Sequence, residues 1–129
     1  MKQDLTVFVD VINDRGDLKM TWGEYPQESD ISTAFDFIND HLKNTDHPIY
    51  IVVDLSSDPQ IPLSTTIREV MSGPFRHRNL KKWLVIGINR RAQVVARVMD
   101  TISRESTILW FDTETEALTR LNELMTEIS

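Results

Sequence analysis

The sequence contains no cysteine, only four glycines and no long apolar run. The missing thiols exclude thiol catalysis, zinc–thiolate sites and disulfide bonds, and their absence fits a reducing compartment. The four glycines match neither the GxGxxG nor the GxxxxGK pattern, so no Gly-rich phosphate loop is expected. The longest apolar runs have about the length of a strand, whereas a bilayer requires roughly 20 residues. We therefore expect no membrane span.

Residues that could carry catalysis or hold a metal are also scarce. No GxSxG nucleophile elbow is present. His41, His47 and His77 are not spaced as a metal-binding pair on a helix, and we expect them to be surface histidines. Asp54 and Asp112 lie at the ends of predicted strands, where short polar residues favour turns and caps. We expect no catalytic residue, no enzyme activity, no metal and no cofactor.

The length of 129 residues predicts one domain that spans 1–129. At this size roughly two-thirds of the unfolded surface is buried on folding, so the core does not need a metal or a disulfide. No apolar run follows a basic segment near residue 1, so we expect no secretory signal. A cytoplasmic protein is the expectation that follows.

The net charge of −6 is unevenly distributed along the chain. Residues 68–104 hold nine Lys or Arg against two Asp or Glu, a net of +7. The negative overall charge argues against general nucleic-acid binding, because phosphate contacts dominate that affinity. The basic segment is either a solvated helix face or a surface for an acidic partner, a nucleotide or a phosphorylated loop. Its candidate residues for binding a partner or an anion are Arg68, Arg76, Arg78, Arg90 and Arg91.

The hydrophobic pattern predicts an α/β fold. Apolar residues alternate over 5–11 and again over 18–22, on either side of a Gly-containing loop, which is typical of a β-hairpin. Buried-strand patterns follow at 49–55, 83–88 and 107–111, and helical spacing at 31–42, 67–71, 92–102 and 117–128. The order ββαβαβαβα predicts a mostly parallel five-stranded sheet with an N-terminal hairpin and four helices.

Helix starts are predicted from capping residues. Ser29 or Asp30 is a candidate N-cap of the first helix. The pairs Thr66 with Glu69, and 113 with 116, match the capping box of the second and last helices.

A polar turn and a helix start follow the strand at 49–55, so they lie at the carboxyl edge of the sheet. Open α/β sheets usually bind ligands at this edge. The hydroxyl cluster 64–66 lies at that helix start. Unpaired N–H groups there accommodate a phosphate on Ser64, which makes Ser64 a candidate phosphorylation site. Simple N-capping by the hydroxyls is the alternative.

This order of elements resembles that of the STAS domain and the SpoIIAA-like anti-sigma-factor antagonists. The segment 110–118 is similar to the last strand and helix of that group, where a phenylalanine precedes a capping Thr and a Glu-Ala-Leu helix start. Here those residues are Phe111, Thr113 and the run 116–118. The resemblance extends over most of the chain.

The family's Asp-Ser-Ser-Gly signature, whose second Ser accepts phosphate from a kinase partner, is absent here. Aligning the strand and the helix start places Ser64 on the acceptor and Pro62 on the Asp. Aligning the run 54–56 with an upstream Asp-Leu-Ser of the family instead places Gln60 and Ile61 where the serines belong.

The resemblance implies a non-enzymatic regulatory or protein-interaction module. Its partner would be a protein, such as an anti-sigma-factor-like kinase, or a second copy of the chain in a dimer. The alternative is a binding protein for a small anionic or lipid-like ligand, with an apolar pocket under the second helix. In that alternative Arg76, Arg78 or Arg91 holds the anionic head group. The apolar loop 59–63 then covers the pocket, or else it forms a dimer contact.

Overall fold

The chain alternates strands and helices in the predicted order. The computed structural model describes residues 5–102 and 108–128, with the side chains of Arg76 and Ile128 excepted. The strands are β1 Val7–Val11, β2 Leu18–Trp22, β3 Ile49–Asp54, β4 Leu80–Ile86 and β5 Ile108–Phe111. The helices are α1 Glu28–Lys43, α2 Leu63–Ser72, α3 Arg90–Ile102 and α4 Glu114–Ile128, and a short 3₁₀ turn spans Pro74–Arg76. Thr107, the first residue of the predicted fifth strand, lies outside the described residues.

The five strands form one sheet whose spatial order equals their order in the chain, β1-β2-β3-β4-β5. Strand β1 runs antiparallel to β2, and the other three pairings are parallel. The predicted hairpin and the predicted mostly parallel sheet are both confirmed. Because β2 to β5 are parallel, their carboxyl ends meet at one edge of the sheet, which we call the carboxyl edge.

Two apolar clusters cover the two faces of the sheet. Helices α1, α2 and α3 pack on one face, against strand residues such as Ile51 and Val53. Helix α4 packs on the other face, against Tyr50 and Val52. Strand β3 is therefore buried on both faces, which explains its continuous apolar sequence.

The predicted N-cap of the first helix is wrong by two to three residues. Helix α1 begins at Glu28, and Gln27 is its N-cap residue. Asp30 lies within the first turn, where its carboxylate accepts hydrogen bonds from the N–H (2.9 Å) and the hydroxyl (2.7 Å) of Thr6. These two bonds, the backbone bond first, hold the pKa of Asp30 below its ordinary value. Asp30 therefore ties the helix to the chain before β1 instead of capping it.

The two predicted capping boxes have different outcomes. At α4 the capping bond of the box is confirmed, because Thr113 Oγ1 accepts the N–H of Glu116 (3.2 Å), and the Thr113 hydroxyl also donates to the Glu116 carboxylate (3.1 Å). At α2 the box is wrong, because the helix begins at Leu63, and Thr66 lies inside the helix as a buried residue. Pro62 precedes this helix, and its fixed φ near −73° suits the entry into a helix.

The hairpin loop 13–17 is fastened to the rest of the fold by both histidines of the adjoining segment. His41 Nε2 donates to the carbonyl of Gly16 (2.6 Å), and His47 Nε2 donates to the carbonyl of Arg15 (2.5 Å). Gly16 has φ +92°, a backbone conformation that favours glycine. Both histidine side chains are partly buried hydrogen-bond donors, a structural role that the prediction of surface histidines did not include.

His47 predicts a pH dependence of stability. The Arg15 carbonyl, and then the Asp46 carboxylate, raise the pKa of His47 above its ordinary value. A raised pKa in the folded state means that protonated His47 stabilises the fold. This stabilisation is complete below the unfolded pKa of about 6.5 and disappears as the pH rises through the folded-state pKa. We expect His47→Gln to lower the free energy of unfolding more at pH 6 than at pH 8.5.

The same residue allows a direct check by NMR titration of its ring protons. We expect a higher pKa in the folded chain than in the same chain unfolded in urea. The stability difference will be small, because the side chain is 39% exposed and solvent screens its charge. Equal pKa values in the two states would contradict this assignment.

Candidate functional site

A loop over the carboxyl edge connects β3 to α2; we call residues 55–62 the edge loop. On the β2 side, Ser57 Oγ donates to the carbonyl of Trp22 (2.7 Å), and the N–H of Gln60 donates to the carbonyl of Glu24 (2.9 Å). The edge loop is therefore held against the segment that follows β2. Its apolar residue Ile61 is only 2% exposed and packs into the core.

On the β4 side, Asn89 binds the edge loop. Its side-chain amide donates to the carbonyl of Pro59 (2.8 Å) and to the carboxylate of Asp58 (3.0 Å). Its side-chain oxygen accepts the N–H of Ala92 (2.9 Å), the bond of a helix N-cap, at the start of α3. Sequence reasoning missed this residue, although an Asn directly before a helical pattern is a recognisable N-cap signal.

The hydroxyl cluster at the start of α2 has three different environments. Ser64 lies in the first turn with an exposed side chain, as modification by a kinase would require. Thr65 is buried, and its hydroxyl donates to the carboxylate of Glu28 (2.7 Å). Thr66 is buried, and its hydroxyl has no hydrogen-bond partner among the described residues. Ser64 is thus the exposed member of the cluster.

The predicted basic residues are not gathered into one site. Arg90 and Arg91 lie at the start of α3 on the carboxyl edge, and Arg68 lies on α2, one turn after Ser64. Arg78 precedes β4 at the opposite edge of the sheet. Within the described part of the chain, no carboxylate forms an ion pair with these arginines. The side chain of Arg76 lies outside the described residues.

Arg91 has a structural contact. Its guanidinium donates to the carbonyl of Ile61 at 3.1 Å and so fastens the end of the edge loop to α3.

The two carboxylates that follow strands take turn positions. Asp54 accepts hydrogen bonds from the N–H (2.9 Å) and the hydroxyl (2.6 Å) of Ser56, and lies 3.9 Å from Lys19 Nζ. Asp112 is exposed in the connection between β5 and α4. Asp54 is thus the last residue of β3, and its side chain holds the turn that follows, in line with the turn or cap role suggested by the sequence.

An apolar cavity of about 70 Å³ lies between the sheet and the helices above it. Side chains of β2 to β5 form its floor, side chains of α1, α2 and α3 form its roof, and Ile61 closes it on the side of the edge loop. No charged side chain among the described residues lines it. One water needs about 10–15 Å³, so the cavity has room for a molecule of roughly five to seven non-hydrogen atoms.

Two buried polar atoms belong to side chains that line this cavity. They are the indole nitrogen of Trp22 and the hydroxyl of Thr66, and each residue is 4% exposed. Neither atom has a hydrogen-bond partner within 5–102 and 108–128. Buried polar atoms in proteins are nearly always paired, so two unpaired ones in side chains that line the same cavity require an explanation.

A groove of about 300 Å³ adjoins the cavity near the 3₁₀ turn. Phe75, Leu80 and Ile102 line the groove, and it shares Trp83 and Met99 with the cavity. The two spaces therefore lie next to each other.

Comparison with known proteins was informative for one solved structure. The chain is similar to the crystal structure of an uncharacterised DUF3478-family protein from Shewanella loihica PV-4, which is described as having a SpoIIAA-like fold. The identity is 16%, the match covers 89% of this chain and 91% of that chain, and the TM-score is 0.63. This chain has a SpoIIAA-like fold. The resemblance seen in the sequence is therefore confirmed at the level of the fold.

No family model matches the chain, and no curated protein matches it. No helix in the described ranges is long and apolar enough to cross a membrane. The same ranges contain no group of three or more His, Cys, Asp or Glu side chains that could hold a metal ion.

Proposed function

We propose that this SpoIIAA-like chain is a non-enzymatic binding protein for a small, uncharged, mostly apolar molecule, which it holds in the cavity under α2 and α3. The observation that carries the proposal is the cavity itself. Protein interiors are packed about as densely as organic crystals and contain few voids larger than a water molecule. A cavity of about 70 Å³ beneath two helices is well above that size.

The lining of the cavity favours an uncharged ligand over the anionic one expected from the sequence. Among the described side chains, none of Arg68, Arg78, Arg90 and Arg91 lines the cavity, and Arg91 is bonded to the edge loop. An ionised group without a partner is strongly disfavoured in such a site. The burial of Ile61 supports a covering role for the edge loop, in preference to the dimer contact that the sequence left open.

The test is a titration with two ring compounds of seven non-hydrogen atoms each, toluene and cyclobutanecarboxylate, followed by the NMR shifts of the Val70 and Val95 methyl groups. We expect saturable shifts with toluene and none with the carboxylate. Ala96→Leu places a larger side chain in the cavity and should abolish the toluene shifts. Filling the space should also stabilise the fold, by up to about 1.7 kcal/mol at roughly 24 cal/mol per Å³.

The matched control is Gln93→Leu, which places the same side chain on an exposed position of α3. It should leave the toluene shifts as they are in the wild type. Shifts that persist unchanged in Ala96→Leu, or a wild type that does not respond to toluene at all, would count against the proposal.

A second candidate function is contact with an acidic protein partner at the carboxyl edge. Two large apolar residues are exposed there, Tyr25 at 71% and Ile88 at 77%, one on each side of the edge loop. Ser64 is exposed on the same edge, and a phosphate on it would lie one helical turn from Arg68. These features support the interaction module that the family resemblance implies.

A test of this second candidate is cross-linking with identification of the captured proteins by mass spectrometry, for wild type and Arg90→Glu. We expect an acidic partner to be lost in the variant. Lys43→Glu makes the same charge change at the far end of α1 and is the control. A partner set that is identical in all three samples would exclude this surface.

A further inference from the structure

We infer that the cavity recognises one oxygen atom of its ligand, and that the indole N–H of Trp22 and the hydroxyl of Thr66 donate to this atom. The ligand class is then a small apolar molecule with a carbonyl group, such as a ketone, an aldehyde or an ester. This inference rests on the proposed function and specifies which chemistry the site selects.

The two donors are unusual because polar groups beside them are paired. The adjacent Thr65, with an identical side chain, donates to Glu28 at 2.7 Å. The carbonyl of Trp22 accepts from Ser57 at 2.7 Å, while the indole of the same residue has no partner among the described residues. Leaving a buried donor unpaired costs roughly 1–3 kcal/mol. A bound acceptor removes that penalty for both groups.

The chemistry of the two groups selects the acceptor. An indole N–H is a donor only, and a hydroxyl donates one hydrogen. A carbonyl oxygen has two lone pairs, so one such atom can accept from both groups. A carboxylate or phosphate would bring charge into a cavity without a cationic side chain.

A trapped water fits the two groups less well than a carbonyl. A water that accepts from Trp22 and Thr66 must still place its own two hydrogens, and the side chains around it are otherwise largely apolar. Buried waters usually make about three hydrogen bonds. A carbonyl oxygen has no hydrogen to place, and its apolar substituents match the rest of the wall.

The experiment is an NMR titration of the full chain with cyclohexanone and with methylcyclohexane. The two ligands have the same number of non-hydrogen atoms, and only cyclohexanone has an oxygen. We expect wild type to prefer the ketone. Thr66→Val removes the hydroxyl and nearly preserves the shape, so it should weaken ketone binding about fivefold, at about 1 kcal/mol for one hydrogen bond. It should not weaken binding of methylcyclohexane. Trp22→Phe should reduce the same preference independently.

Thr65→Val is the matched control, because it makes the same change one residue earlier, where the hydroxyl is already paired. We expect it to lower Tm and to leave the ketone preference intact. Thr66→Val should raise Tm in the absence of ligand, since it removes an unpaired buried group.

The outcomes separate this inference from the proposed function. Equal affinity for the two ligands in wild type, or equal losses for both in Thr66→Val, overturns the oxygen contact while ligand binding stands. Binding of neither ligand, with no response to toluene, contradicts the proposed function and this inference together.

Discussion

Asp17→Ala is expected to lower the free energy of unfolding by about 3 kcal/mol, the largest single effect that we predict. Asp17 is fully buried at the start of β2. One carboxylate oxygen accepts the backbone N–H of Tyr50 (2.9 Å), and the other accepts the amide of Asn13 (2.8 Å) and lies 3.7 Å from Arg15 Nε. The substitution leaves the buried N–H of Tyr50 without its acceptor, which is the main reason for the size of the effect.

The measurement is urea unfolding followed by circular dichroism. Asp14→Ala is the matched control, because it makes the same substitution on an exposed residue of the same loop and should change stability by less than about 0.5 kcal/mol. Asp17→Asn keeps an acceptor for Tyr50 and should fall between the two. If Asp17→Ala and Asp14→Ala unfold at the same urea concentration, the carboxylate does not anchor the hairpin to β3.

Asn89→Ala is expected to lower the free energy of unfolding by about 2–3 kcal/mol. The substitution removes the N-cap of α3 and both hydrogen bonds from the amide to the edge loop. Since the edge loop covers the cavity, ligand binding should weaken as well. The effect on the loop can be separated from the effect on the helix.

Hydrogen exchange of individual amides makes this separation. Asn89→Ala should speed exchange at Gln60 in the loop and at Ala92 in the helix. Asn89→Asp keeps the capping oxygen but loses both donors to the loop, so exchange should speed up at Gln60 alone. Unchanged exchange at Gln60 in both variants would show that Asn89 does not hold the edge loop.

The fold was predictable because its signals are local. Period-two alternation marked the hairpin, continuous apolar runs marked the doubly buried strands, and the Thr113–Glu116 pair marked the start of α4. Each of these patterns depends on neighbours within a few residues, and a parallel sheet follows from their order. The SpoIIAA-like resemblance required nothing beyond that order and short matches.

The candidate site was less predictable because it depends on contacts between distant segments. The cluster 64–66 has three similar hydroxyls, and spacing alone does not reveal which of them is exposed, paired or unpaired. Thr65 is paired because its hydroxyl donates to Glu28, which is distant in the sequence. Thr66 is unpaired and lines the cavity, which several distant segments form together. The basic run likewise looked like one surface in the sequence, whereas Arg78 and Arg90 lie at opposite edges of the sheet.

The central claim is that the cavity under α2 and α3 holds a small uncharged molecule. Native mass spectrometry of the freshly purified chain, beside the cavity-filling variant Ala96→Leu, tests it most directly. We predict that wild type retains an added mass, that the released molecule carries a carbonyl group, and that Ala96→Leu lacks it. A wild type that shows only the mass of the chain and gains none on incubation with cyclohexanone, or an added mass that Ala96→Leu retains equally, would contradict the claim.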